Sequence, residues 1–326
     1  MPPIIDLTDH LSGAASRRRT TARRVAEACT ETGLFLLRGH GLDPDLLRDV
    51  HAVAREFFDA PEDYKRRFHL PGSSRGYTPL GTESLAATGG ATAPADVKEA
   101  FAIGTVDVPE RSAEYAGAGL RAVEWPDHPA RFTEALLAYY RAAHALAGRV
   151  MGLLADALGV PEAAFADKMD RSADFLRLIS YPEQARPPEA GAMRAGAHTD
   201  FGVLTMIATD DAPGGLQVQA RDGEWIDVPA PPGTLVVNIG DLMAYWTDQR
   251  WRSAVHRVAN PPAGSGRATR RQSIVFFHNP NLDAVIEPLR LRDAPGGPRP
   301  RPVTAGEWLT RKSSRQRAPA APGTRG

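Results

Sequence analysis

Between residues 175 and 277 the chain is cut into short apolar runs by proline, glycine and aspartate at close intervals. A helix needs ten or more residues of sustained 3.6-residue period, and runs this short do not supply it. The stretch 175–181 stops against Pro182, residues 203–208 are largely apolar, and Leu216-Gln217-Val218-Gln219 alternates after the turn pair Gly214-Gly215. Asp222-Gly223 offers a tight turn into Trp225-Ile226-Asp227-Val228. Pro231-Pro232-Gly233 opens the run 234–239, Gly240-Asp241 closes it, and 253–258 and 273–277 complete the set. Short strands with turn chemistry between them predict a sandwich or jelly roll.

The first half reads differently. Ile4-Ile5-Asp6-Leu7 predicts a short strand, and Ala22, Val25, Ala26 and Cys29 recur at helical spacing before Gly33. The apolar run 34–37 predicts a buried strand. Asp43-Pro44 is an N-cap followed by a proline at the first helical position, with Leu46, Leu47, Val50, Val53, Ala54, Phe57 and Phe58 on one face up to Pro61. Residues 71–94 are rich in Gly, Ser, Thr, Ala and Pro and longer than an ordinary connection, so a mobile lid or entrance is expected there. Order resumes over 96–104, and 129–158 predicts a long helix that ends at Gly159 and Pro161. From residue 294 on, Pro, Gly and Arg dominate. Thr304 and Glu307 are spaced for a capping box over a helix at 304–312, and the last dozen residues are expected to be disordered. The expected class is α+β. A helix-rich region covers 1–165, a β core 166–290, and a C-terminal helix with its tail 291–326.

Composition narrows the function classes. The 39 basic and 39 acidic residues cancel, so nothing points to a nucleic-acid or membrane-surface partner. The single cysteine, Cys29, excludes an internal disulfide and sits on the apolar side of a predicted helix, where it reads as core. The first residues lack the basic and apolar regions of a signal peptide, and no stretch is apolar for long enough to span a membrane. A soluble cytoplasmic protein of undetermined oligomeric state is expected.

The chemistry is concentrated in His198-Thr199-Asp200, His256 and Arg271-Gln272-Ser273. Residues i and i+2 of an extended chain point to the same side, so His198 and Asp200 can bind one ion at a strand end. His256 falls on another predicted strand, which antiparallel folding can bring alongside. A His-x-Asp pair alone is common. Its combination with a later histidine and with Arg271-x-Ser273, in a β-rich half, is far more specific. Two imidazoles and a carboxylate on one face of an ion leave other positions open, and an arginine fork suits a carboxylate.

These motifs resemble the iron(II)- and 2-oxoglutarate-dependent oxygenases of the isopenicillin N synthase-like superfamily. The likeness covers most of the chain. It includes Gly33-Leu34-Phe35, His40-Gly41, Arg75-Gly76-Tyr77, Lys98-Glu99-Ala100-Phe101 and Trp125-Pro126, and in the core Gly196-Ala197-His198-Thr199-Asp200, Asn238-Ile239-Gly240-Asp241 and His256-Arg257-Val258. The resemblance implies a double-stranded β-helix core and iron(II) held by His198, Asp200 and His256. It assigns Arg271 and Ser273 to the distal carboxylate of 2-oxoglutarate, with Tyr181 assisting. Ile179 stands where the family's Asn-x-Tyr-Pro motif has asparagine.

The implied reaction oxidises a C–H bond of a small molecule, most simply by hydroxylation, while 2-oxoglutarate and O2 become succinate and CO2. Antibiotic or other secondary metabolism is the expected setting. Arg75, Tyr77, Phe101, Arg177, Trp246 and Phe277 are candidate substrate contacts by position. His278 and the remaining histidines are expected to be structural. The alternatives are an oxidase of the isopenicillin N synthase type, an ethylene-forming reaction, and a jelly-roll protein that holds metal without turnover.

Overall fold

The computed structural model describes residues 1–89, 94–118, 121–184, 189–213, 215–262, 268–289, 291 and 300–314. The expected disordered tail, Gly214 of the expected turn and residues 90–93 of the expected entrance lie outside the described residues.

The chain opens with β1 (Ile4–Asp6), α1 (Leu7–Leu11), α2 (Ala15–Glu31) and β2 (Leu34–Arg38). Gly33 links α2 to β2 at a φ of 74°, and a Cβ there would meet the Arg252 carbonyl oxygen. Glycine is therefore demanded by both conformation and space. Helix α3 (Pro44–Asp59) starts where the sequence signals it: the Asp43 side chain accepts from Asp45 N and Pro44 occupies the first turn. It buries Val50, Val53, Ala54, Phe57 and Phe58. Next come α4 (Glu62–Arg66), β3 (Gly76–Thr78), β4 (Glu99–Gly104), the long α5 (Phe132–Leu158) and α6 (Ala163–Met169).

The β-rich half follows with β5 (Phe175–Tyr181), β6 (Ala195–His198), β7 (Leu204–Thr209), β8 (Leu216–Gln219), β9 (Trp225–Asp227), β10 (Leu235–Ile239), α7 (Asp241–Trp246), β11 (His256–Val258) and β12 (Arg271–His278). Strands β13 (Val285–Ile286) and β14 (Val303–Thr304) pair with each other ahead of α8 (Ala305–Ser313). The Thr304 side chain caps α8 by accepting from Glu307 N.

The strands form a large sheet ordered β1-β2-β10-β7-β12-β5-β4-β3 and a small one ordered β6-β11-β8-β9. This is the jelly-roll layout, with an α+β chain around it. Two-residue periodicity sorts the large sheet's side chains between two cores. On β12, Ile274 and Phe276 join the core beneath the helices, whereas Val275 and Phe277 join the core between the sheets. On β10, Val237 and Ile239 face the helices and Val236 faces inward. The helical core is stitched by rings: Phe57 packs on Phe101 and Phe132 at centroid distances of 5.3 and 5.0 Å.

The short helices α4, α6 and α7 were not expected from sequence. Each has seven residues or fewer, too few for helical period to emerge from composition.

Candidate active site

Strand pairing does most of the work of assembly. His198 ends β6, His256 begins β11, and the two are direct cross-strand partners. Their side chains therefore emerge on one face, with ring centroids 4.2 Å apart. Asp200 lies two residues past the end of β6, and its Oδ1 lies 3.9 Å from Nε2 of each histidine. That spacing is too long for a hydrogen bond. It is within roughly twice a metal–ligand bond of about 2.1 Å, so one ion can touch all three atoms.

Every other polar atom of the trio is committed. Nδ1 of His198 lies 2.7 Å from the Gly196 carbonyl and Nδ1 of His256 lies 2.9 Å from that of Ala254. A carbonyl only accepts, so Nδ1 carries the proton and Nε2 presents its lone pair. Asp200 Oδ2 accepts from Thr205 Oγ1 and Asn238 Nδ2, both at 2.7 Å, leaving Oδ1 for the ion. Burial first, and His256 second, push the His198 imidazole down to about 3, so it stays neutral. Burial alone would raise the Asp200 carboxyl, but the two histidines and its two hydrogen-bond donors hold it below its ordinary value. Two imidazole nitrogens and one carboxylate oxygen, leaving positions open, form a donor set that fits Fe(II).

A second group lies on the inner face of the large sheet, across the inter-sheet core from the small sheet that carries the two histidines. Arg271 on β12 pairs in register with Tyr181 on β5, and Ser273 pairs with Ile179. Arg271 is only 5% exposed, its Nε has no hydrogen-bond partner, and its Nη1 is 3.6 Å from Asp210 Oδ1. Arg194 is buried nearby, donating to the carbonyls of Pro213 and Thr269, with its guanidinium 5.9 Å from the Tyr181 ring centroid. Burial and then Arg271 bring Arg194 down to about 10, a sign of crowded positive charge. Burial raises the Tyr181 phenol while Arg271 opposes that rise. Two buried guanidiniums, with the nearest aspartate oxygen 3.6 Å from Arg271, suit an incoming carboxylate.

The remaining candidates part company. Arg177 pairs with Val275, and Phe277 with Phe175, on the inner face that also carries Arg271 and Ser273. Tyr77 pairs with Phe101 on the opposite face, and both lie in the core beneath the helices. Tyr77 donates to Glu62 and Glu99, while Phe101 packs on Phe57 and Phe132. Trp246 packs edge-on against Phe165 at 4.9 Å in that same core. Arg75 is spent on Asp107, at 2.9 and 3.1 Å, and on the Arg121 carbonyl. Substrate contact by Tyr77, Phe101 and Trp246 does not fit this placement, and Arg75 has a structural partner. Strand parity for β3 and β4, and the existence of α7, were not legible in the sequence.

Sequence reasoning passed over Thr205, Arg194 and Asp210, and named Asn238 within a motif without giving it a role. Asn238 had a signal, because an amide inside the apolar run 235–239 must find a partner when buried.

The matches to known proteins cover the whole arrangement. A family model described as non-haem dioxygenase in morphine synthesis N-terminal matches residues 2–128, and the 2OG-Fe(II) oxygenase superfamily model matches residues 172–280. Validamycin A dioxygenase of Streptomyces hygroscopicus subsp. limoneus is 33% identical, with 95% of this chain and 85% of the relative aligned. The 2-oxoglutarate-dependent dioxygenase citB of Monascus ruber is 36% identical over 88% of this chain and 87% of its own. Among solved structures, a Neurospora crassa protein in complex with alpha-KG and thymine superposes with a TM-score of 0.82 at 28% identity, covering 96% of both chains. The rice dioxygenase for auxin oxidation gives a TM-score of 0.72 at 29% identity, covering 98% of this chain and 97% of its own. This chain belongs to the 2-oxoglutarate–Fe(II) oxygenase superfamily and is a non-haem dioxygenase that uses Fe(II) and 2-oxoglutarate to oxidise a small molecule.

Proposed function

We propose that His198, Asp200 and His256 hold Fe(II), that Arg271 and Ser273 with Tyr181 hold the distal carboxylate of 2-oxoglutarate, and that the enzyme hydroxylates an unactivated C–H bond of a natural product. The observation that carries this reading is the state of the three ligand atoms. Two Nε2 lone pairs and one carboxylate oxygen converge, and their partner atoms are already bonded to Gly196, Ala254, Thr205 and Asn238. Bound Fe(II) supplies activation of O2 coupled to oxidative decarboxylation of 2-oxoglutarate to succinate and CO2.

The chain's own residues do the rest. The Gly196 and Ala254 carbonyls fix both imidazole tautomers, so no reorganisation is needed when the metal arrives. Thr205 and Asn238 hold Asp200 to a single free oxygen, which keeps neighbouring coordination positions open. Arg271 and Arg194 give the inner wall positive charge where the dicarboxylate ends, and Tyr181 and Ser273 add hydroxyls beside it. The wall formed by Ile179, Val275 and Phe277 is apolar and keeps water off the reacting C–H bond.

Secondary metabolism, including antibiotic biosynthesis, is supported by the validamycin and Monascus relatives. A cytoplasmic setting is supported by the lone buried thiol of Cys29; among the described residues no helix is long and apolar enough to cross a membrane. The balanced charge supports a small-molecule partner over a nucleic acid. The division into a helix-rich region 1–165, a core 166–290 and a C-terminal part 291–326 is supported by the change from helices to strands at β5.

The test is anaerobic addition of Fe(II) and then 2-oxoglutarate, followed by exposure to O2. A visible charge-transfer band and succinate formation that requires both additions are expected. O2 consumption without 2-oxoglutarate would refute the reading.

A further inference from the structure

Buried Asp96, Lys98 and Arg177 and half-buried Glu83 form a charged group beside the ligand cluster, and the iron chemistry leaves them unused. Asp96 Oδ1 accepts from Gly196 N at 2.9 Å, on the strand that carries His198. Asp96 Oδ2 accepts from Leu85 N at 3.0 Å and from Lys98 Nζ at 2.6 Å. Lys98 Nζ is 3.7 Å from Glu83, and Glu83 Oε2 accepts from Arg177 Nη2 at 2.7 Å. The two cations and two carboxylates balance. Arg177 is nevertheless unsaturated: it is 5% exposed, and its Nε has no hydrogen-bond partner. Leaving such a donor unmet costs about 1–3 kcal/mol, so a partner is owed.

Register locates that donor. Arg177 is four residues along β5 from Tyr181, the cross-strand partner of Arg271. At about 3.3 Å per residue the two arginine positions stand about 13 Å apart on one wall. The next pair beyond Arg177 on that face is Phe175 with Phe277, half-buried rings with centroids 6.0 Å apart. The two arginines differ in charge balance. Arg271 stands 3.6 Å from Asp210 Oδ1, beyond hydrogen-bond distance, and Arg194 is bonded only to carbonyls, so their end of the wall carries an excess of positive charge that draws an anion. Arg177 is neutralised by Glu83 at hydrogen-bond distance, so a second anion gains little there and meets the Glu83 charge.

Resting on the reading above and deepening it, we propose that Arg177 Nε docks the substrate, and that the substrate is an uncharged small molecule. It offers a carbonyl or hydroxyl oxygen to Arg177 and an apolar face to Phe175 and Phe277. Glu83 is the specificity residue. It keeps carboxylates, including a second 2-oxoglutarate, off Arg177, so the co-substrate goes to Arg271 alone.

Calorimetry on the anaerobic Fe(II)–2-oxoglutarate holoenzyme with benzamide, benzoate and benzylamine tests this. Benzamide is expected to bind about tenfold more tightly than either ion, as one added hydrogen bond allows. The Glu83→Gln variant is expected to swing the preference to benzoate, because it leaves Arg177 with uncompensated charge, and Arg177→Met to erase the preference. A merely structural ion pair predicts no change of sign in Glu83→Gln. Preference for either ion by the native enzyme, binding of none of the three, or an unaltered order in Glu83→Gln overturns the proposal. Failure of the underlying reading is seen separately, as absence of the visible band when 2-oxoglutarate is added before any probe, and the proposal then falls with it.

Discussion

Among the described residues two clusters of two histidines and one aspartate occur, and their polar atoms are arranged in opposite ways. In the inner cluster, His198, Asp200 and His256 keep their ligand atoms 3.9 Å apart and direct their other atoms at backbone carbonyls and neutral donors. In the outer cluster, His144 on α5 and His278 on β12 each place Nδ1 2.7 Å from a different oxygen of Asp174. Ser172 Oγ and Arg111 Nη1 approach the same carboxylate at 2.9 and 3.2 Å. Its oxygens are saturated by donors, and a guanidinium already supplies the compensating charge a metal would bring. Residue types and a short mutual distance are shared; what differs is whether the ligand atoms are satisfied by one another. The outer cluster braces α5 against the ends of β5 and β12, whereas the inner one presents three ligand atoms that are not bonded to one another.

The sharpest way to break this contrast is to remove each aspartate in turn. Asp200→Ala is expected to abolish iron binding and lower succinate formation by about a thousandfold or more, with little change in thermal stability, since a charged ligand is lost from an open site. Near-native turnover would break the assignment.

Asp174→Asn is expected to act the other way. It should destabilise the fold by about 3 kcal/mol, because Arg111 loses its buried counter-charge, while Fe(II) affinity stays within about twofold. Denaturant unfolding and metal titration read the two effects separately. The wild-type brace also has a pH signature. Burial would raise the Asp174 carboxyl, but His278 and His144 hold it well below its ordinary value. A depressed folded value means the stabilisation is complete above the ordinary carboxylate range and is lost as pH falls below about 4. The Asn variant should lack that acid-side loss, and an identical acid profile would contradict the brace.

Smaller effects sharpen the inner site. Arg271→Met is expected to raise the KM for 2-oxoglutarate about 30-fold, or about 2 kcal/mol, through loss of a charge-assisted contact; an unchanged KM would move the co-substrate elsewhere. Asn238→Ala is expected to weaken Fe(II) about tenfold by freeing Asp200 Oδ2, with Thr205 still in place. Unaltered affinity would show that Thr205 alone fixes the carboxylate.

The inner cluster was legible in the sequence and the outer one was not, for a physical reason. His198 and Asp200 stand two residues apart at a strand end, and His256, although distant in the chain, was joined to them by the family resemblance of its motif. His144, Asp174 and His278 come from a helix, a loop and the helix-facing side of a strand, and only tertiary packing joins them. The same limit explains the substrate candidates. Phe277 follows Arg271 and Ser273 at even spacing on β12 and so shares their face, and Arg177 shares that face through its pairing with Val275. Tyr77 and Phe101 are a cross-strand pair whose parity depends on where β3 and β4 begin, and those bounds have no sharp turn signal. Trp246 sits on a six-residue helix too short to show a period. The long helix α5 and the capped helix α3 were legible because their signals run over several turns.

The most direct measurement is anomalous scattering at the iron edge from anaerobic crystals loaded with Fe(II). The account predicts one iron peak bounded by His198, Asp200 and His256, and none between His144, Asp174 and His278. A peak at the outer cluster, or an empty inner cluster in iron-loaded protein, would contradict it.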